Sequence, residues 1–223
     1  MTTSGELVCI VEDHRFLGQL VAIELETFGF EALLFEPDGM VLRTILDLKP
    51  ALVLLDVELG LALDSLSACR ELVEAGIEVV LFTGVQDTIL LAEFLEVGAK
   101  GILSKTEDLD SLATQVRHAV SGGAVAPSLT DRIAMLSSLE RHRASRAQAL
   151  EPFEALSQSE AEVLAEIVNG LTVGEIATGR FVSVTTIRAQ IRAIHTKLGV
   201  STQLGAVSLA TRVGWSLPQT ESQ

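Results

Sequence analysis

Leu7-Val-Cys-Ile-Val-Glu12-Asp13, Leu52-Val-Leu-Leu-Asp56, Val79-Val-Leu-Phe-Thr83 and Gly101-Ile-Leu-Ser-Lys105 share one plan: a short apolar run that ends on a polar or charged side chain. Runs of this length without a three-to-four residue period suit strands buried on both faces. A fifth such run is Glu31–Phe35, so the strands are expected at Leu7–Val11, Glu31–Phe35, Leu52–Leu55, Val79–Phe82 and Gly101–Leu103. Amphipathic stretches separate them, near Phe16–Phe28, Met40–Leu48, Ser65–Glu74, Thr88–Val97 and Leu109–Val120. In the last of these Leu109, Leu112, Val116 and Val120 recur at steps of three and four. Strand and helix in strict alternation make βα units on a parallel sheet. The fold class expected for residues 1–121 is therefore an α/β doubly wound five-stranded parallel sheet.

Outward from that domain the pattern breaks at Gly122-Gly123 and Pro127. We place a linker at 122–152, with a helical middle near Ser128–Arg146 whose Leu129, Ile133 and Leu136 share one side. Residues 153–223 form a small all-α domain. Ser157-Gln-Ser-Glu160 and Thr172-Val-Gly-Glu175 are capping boxes, and Gly170 and Gly199 stand where helices end. The helices expected are Gln158–Asn169, Val173–Thr178, Val184–Leu198 and Thr202–Arg212.

Charge is divided unevenly. The chain of 223 residues carries a formal net charge of −14, all of it within residues 1–120, which hold 21 acids against 7 bases. Residues 176–220 hold Arg180, Arg188, Arg192, Lys197 and Arg212 and no acid, so a basic face survives in an acidic protein. No apolar run approaches the roughly 20 residues of a membrane helix. Met1-Thr-Thr-Ser-Gly-Glu6 does not read as a secretory signal, and Cys9 and Cys69 suit a reducing compartment. A cytoplasmic protein without membrane contact is expected.

In an open parallel sheet the ligand crevice lies beyond the carboxyl ends of the strands. Glu12, Asp13, Asp56, Thr83 and Lys105 all fall there. Carboxylates can hold magnesium, and an ammonium and a hydroxyl can bind phosphate oxygens. A carboxylate can also take up a phosphoryl group, with Asp56 as the nucleophile. Val11-Glu-Asp-His14, Leu54-Leu-Asp56, Phe82-Thr-Gly84 and Leu103-Ser-Lys105 occur in the order found in response-regulator receiver domains, which residues 5–121 resemble. The resemblance implies a flavodoxin-like receiver in which Glu12, Asp13 and Asp56 bind Mg2+, Asp56 is the phosphoacceptor, and Thr83 and Lys105 contact the phosphoryl group. Two features depart from that pattern: the loop Asp56-Val-Glu-Leu-Gly-Leu-Ala-Leu-Asp64, and Ile102 where an aromatic switch residue is common.

In the last domain Val184, Ile187, Ile191, Ile194 and Leu198 form one apolar stripe. The opposite side, centred on Thr185, Ala189, Arg192, Ala193 and Thr196, mixes small residues with arginine, and Arg188 flanks it. Such a helix can enter the major groove, where arginine pairs with guanine. Leu156–Leu164, Glu175-Ile-Ala177, Val182–Arg188 and Lys197-Leu-Gly-Val200 are similar to the LuxR-type helix-turn-helix domain across residues 153–214. With the receiver, the chain resembles the NarL/FixJ class of two-component response regulators. That resemblance implies base reading by Arg188, Ala189 and Arg192, and the same helix would place Thr186 and Lys197 against the DNA backbone.

The function expected is a phosphorylation-controlled transcription regulator, not an enzyme. Its partners would be double-stranded promoter DNA, a sensor histidine kinase and a second copy of the chain when active or on DNA. Two alternatives remain: a receiver that controls DNA binding without phosphorylation, and an enzyme on a flavodoxin-like sheet.

Overall fold

The computed structural model describes residues 5–217. The chain forms two compact units that divide between Glu140 and Arg141.

The first unit carries five strands and their helices in strict alternation: β1 (Leu7–Val11), α1 (Arg15–Thr27), β2 (Glu31–Phe35), α2 (Val41–Leu48), β3 (Leu52–Leu55), α3 (Ser65–Glu74), β4 (Val79–Thr83), α4 (Thr88–Glu96), β5 (Gly101–Ser104) and α5 (Leu109–Val120). All strands are parallel in the order β2-β1-β3-β4-β5. Each element matches the sequence expectation within a residue or two at its ends.

Alternation along the strands builds two cores. Cys9, Val11, Val53, Leu55, Val79 and Leu81 point to α2, α3 and α4, where Ile45, Leu72 and Phe94 are buried. Val8, Ile10, Leu52, Leu54, Val80 and Phe82 point to α1 and α5, where Leu25, Leu112 and Val116 are buried. Burial on both faces explains why the strands read as unbroken apolar runs. On the second face α1 lies so close to β2 that a Cβ on Gly18 would stand 2.4 Å from Leu34 Cδ1.

After α5 the chain turns back along β5: the Ile102 amide donates to Ala126 O at 2.7 Å, and Val125 sits against Gly101. Helix α6 (Leu129–Glu154) follows, its first turn capped by Ser128 Oγ, which accepts from the Asp131 amide at 3.2 Å. One sequence expectation changes here. The helix continues through Pro152, although a proline there removes one backbone donor. Of the apolar residues placed on one side, Leu129 and Ile133 are exposed and Leu136 packs on the receiver core beside Met135.

The second unit contains α7 (Gln158–Val168), α8 (Val173–Gly179), α9 (Val184–Leu198) and α10 (Gln203–Val213). Both capping boxes form as expected, with Ser157 and Glu160 at α7 and Thr172 and Glu175 at α8. Val163, Leu164, Ile176, Ile187, Ile194 and Ala210 make its core, and the end of α6 joins through Phe153, stacked on Trp215 at 5.3 Å between ring centroids.

Candidate functional site

The strand order reverses between β1 and β3, so their carboxyl ends open a crevice. Backbone ladders run one residue past these strands and hold the crevice residues. The Glu12 amide donates to Phe35 O at 3.2 Å, that of Asp56 to Val11 O at 3.0 Å, and that of Lys105 to Thr83 O at 3.0 Å. Three of the five expected residues meet there through their side chains. Lys105 Nζ donates to Glu12 Oε1 at 2.9 Å and to Asp56 Oδ2 at 2.8 Å. It also stands 2.7 Å from Glu12 Oε2, off the direction of a hydrogen bond, so that oxygen is buried with no donor of its own. The side chains of Glu12 and Asp56 are 0% and 3% exposed.

Burial alone would push the Lys105 ammonium down. The hydrogen bonds to Asp56 and Glu12, and the attraction of the same two carboxylates, outweigh it and leave its pKa above the ordinary lysine value.

Asp13 lies at the rim, with His14 Nδ1 2.9 Å from its Oδ1 and 3.3 Å from Glu12 Oε1. Donor atoms of Glu12, Asp13 and His14 all lie within 4.8 Å of one another. Thr83 is buried at the end of β4, one strand over from Asp56, and its hydroxyl accepts from the Val85 amide at 3.1 Å. The loop after Asp56 is pinned by Ser65 Oγ, which donates to Val57 O at 2.8 Å. Val57 and Leu59 are buried beneath it, and Leu61 is fully exposed. The donor set suits a hard divalent cation: carboxylate oxygens, one of them buried without a hydrogen bond, with an ammonium that such a cation would have to share.

In the second unit α9 opens at Ser183, which accepts from the Thr186 amide, and closes at Gly199 in the left-handed region with φ +66°. Ile187, Ile191, Ile194 and Leu198 are buried as expected. Val184 is not: it is 39% exposed, because the first turn of α9 stands beyond the core, next to the turn in which Phe181 is 97% exposed. Arg188, Ala189 and Arg192 are all exposed, and among the described residues neither arginine has a carboxylate partner. The basic face is smaller than the composition implied. Arg180 is held by Glu166 at 2.9 Å and Glu162 at 3.0 Å, and Lys197 by Glu160 at 2.7 Å. Thr186 Oγ1 is 2.9 Å from Ser183 Oγ. The sequence reading missed the ion pairs of Arg180 and Lys197 because each joins residues 14 to 37 positions apart.

A doubly wound sheet with an acid pocket at its carboxyl edge, joined to a helix-turn-helix unit with a bare arginine face, defines a DNA-binding signal receiver. Comparison with known proteins agrees. Residues 8–117 match the response regulator receiver domain, and residues 154–210 match the bacterial regulatory proteins of the luxR family. The chain is 30% identical over 211 residues to the transcriptional regulatory protein LiaR of Bacillus subtilis (strain 168), covering 92% of this chain and 96% of that one. It is 28% identical to the nitrate/nitrite response regulator protein homolog of Haemophilus influenzae, covering 91% and 94%. The RcsB response regulator of Salmonella typhimurium has the same fold, with a TM-score of 0.50 at 20% identity, over 94% of this chain and all of that one. The protein belongs to the response regulators with a LuxR-type DNA-binding domain, a family of transcription regulators. No helix among the described residues is long and apolar enough to cross a membrane.

Proposed function

We propose that Asp56 accepts a phosphoryl group from the phosphohistidine of a sensor kinase and that this modification controls DNA binding by the second unit. One observation carries the reading: Lys105, from the end of β5, bridges the buried carboxylates of Asp56 and Glu12, from the ends of β3 and β1. Lys105 holds Asp56 Oδ2, which leaves Oδ1 as the attacking atom. A bond forms from Oδ1 to phosphorus as the phosphorus–nitrogen bond of the histidine breaks, and the imidazole leaves with the electron pair. The product is an aspartyl phosphate, one charge more negative than the carboxylate. Lys105, already charged and placed, neutralises the oxygens that gather that charge, and the Thr83 hydroxyl donates to another once it turns from the Val85 amide.

Glu12, Asp13 and Asp56 are the residues that would hold Mg2+. The ion would supply the remaining neutralisation of the phosphoryl oxygens.

For the second unit we propose that Arg188, Ala189 and Arg192 face the bases of promoter DNA, bound by two copies of the chain in the cytoplasm. Thr186 and Lys197 lie where the backbone would run. Lys197 reaches a phosphate only by giving up Glu160, so its contribution to the salt dependence of binding is smaller than that of a free lysine. Arg188→Ala and Arg192→Ala should each relax base preference, whereas Lys197→Ala should leave both preference and salt slope nearly unchanged.

The phosphoacceptor is tested by treating the full chain with Mg2+ and a small phosphodonor and reading the intact mass. Wild type should gain an acid-labile phosphoryl group, and Asp56→Asn should not. Wild type without an adduct refutes the reading.

A further inference from the structure

One side chain fastens the start of α6 to the receiver at two points. Arg132 Nη2 donates to Leu95 O at 2.8 Å, and Nη1 donates to Lys100 O at 3.3 Å. Leu95 lies in the last turn of α4, the helix that begins five residues after Thr83. Lys100 immediately precedes β5, the strand that leads to Lys105. The two carbonyls therefore belong to the two segments that run from the pocket's hydroxyl and to its ammonium. The surroundings keep this grip tight. Met135 and Leu136, on the same side of α6, pack on the cluster that holds Leu91, Phe94 and Leu95. Just upstream, Ala126 O accepts from the Ile102 amide.

A guanidinium is rigid and planar, so its two bonds are satisfied together only while the carbonyls keep their spacing. Movement of the end of α4 relative to β5 breaks one bond or drags α6 along. We propose that Arg132 is the positioning residue that makes the first turns of α6 follow the α4–β5 joint, and so carries the state of the Asp56 pocket into the helix that leads to the DNA-binding unit. This inference rests on Asp56 being the phosphoacceptor.

The test uses the full chain as wild type, Arg132→Ala and Arg132→Lys. Each is treated with Mg2+ and a small phosphodonor, with the intact mass and the hydrogen exchange of residues 129–140 read from the same samples. All three should gain the phosphoryl group to the same extent. In wild type, modification should change exchange in 129–140. In Arg132→Ala that segment should exchange about tenfold faster before modification, from the loss of charged hydrogen bonds, and should not respond to modification. Arg132→Lys, which keeps the charge but cannot grip both carbonyls, should respond weakly and keeps the test decisive if the alanine variant folds poorly. Full adducts with an equal response in all three proteins overturn the role of Arg132 and leave Asp56 standing. Absence of an adduct on wild type overturns both.

Discussion

Lys105 bridges two carboxylates that the fold has taken out of water, so Lys105→Met, which preserves length and removes charge, tests the pocket most directly. Nζ is bonded to one oxygen of each carboxylate at 2.8 and 2.9 Å. Without the ammonium, oxygens roughly 4.5–5.5 Å apart repel each other by about 3–4 kcal/mol at an effective dielectric of about 20. Two charge-assisted hydrogen bonds are lost as well. The lysine is 17% exposed, so water enters the gap and recovers part of this. We expect a net loss of about 2–4 kcal/mol, near the lower end of what breaking a buried pair costs. Trp215, the single tryptophan, lies in the second unit and reports that unit by fluorescence. The receiver is read instead from hydrogen exchange of the β1 and β3 amides in the full chain, with Trp215 as an internal control. Millimolar Mg2+ should restore most of the loss by supplying the missing charge. Adding Glu12→Gln should restore about half in the Lys105→Met background, while the same change in wild type should destabilise. A variant within 0.5 kcal/mol of wild type, or a loss that Mg2+ does not touch, would show that the carboxylates are not held against each other as described.

Three further outcomes follow from contacts elsewhere. Gly101→Ala should destabilise the receiver by about 1–3 kcal/mol, because the new Cβ would stand 2.5 Å from Val125 Cβ and 2.7 Å from the backbone oxygen of Ala126; hydrogen exchange of β5 reads the change. Arg180→Ala should cost the second unit about 1 kcal/mol, a modest figure because Glu162 and Glu166 are about one-third exposed; urea unfolding followed at Trp215 measures it. The Glu160 carboxyl is held below the ordinary glutamate range by the Lys197 ammonium, against the opposing effect of burial, with help from the Ser157 amide and hydroxyl. A lowered native pKa stabilises above the unfolded value of about 4.3 and is lost as the pH falls through the native one. Thermal unfolding of the second unit from pH 6 to pH 3 should therefore lose less in Lys197→Met than in wild type.

The receiver was legible because β1, β3 and β4 are apolar runs that, like β5, lead into a functional side chain, a pattern that period and length reveal without any contact map. Glu12, Asp56 and Lys105 meet because parallel strands deliver all their carboxyl ends to one edge, so topology alone gathered them. The capping boxes were legible for a related reason: Ser157 and Glu160 interact within one turn. What escaped the sequence depends on separation. Nothing near Arg180 points to Glu162 and Glu166, and Lys197 counts as a free base until α7 brings Glu160 beside it. Residue type does not announce which side of α6 packs inward: Leu129 and Ile133 are apolar yet exposed. Arg132 takes an inward position, half-buried, with its head on two carbonyls.

The return of the chain along β5 bears on how such a protein can be recombined. β5 is an edge strand, and the 125–126 segment gives its outer amide a partner and lays Val125 over Gly101. A chimera with its seam at Ser121 would strip that cover and bare an edge open to pairing with another chain. One extra residue inside α6 just after Arg132 would turn everything beyond it by roughly 100° relative to the anchored guanidinium. A foreign output unit grafted onto this receiver therefore needs its seam beyond Leu139, with the spacer kept at its native length.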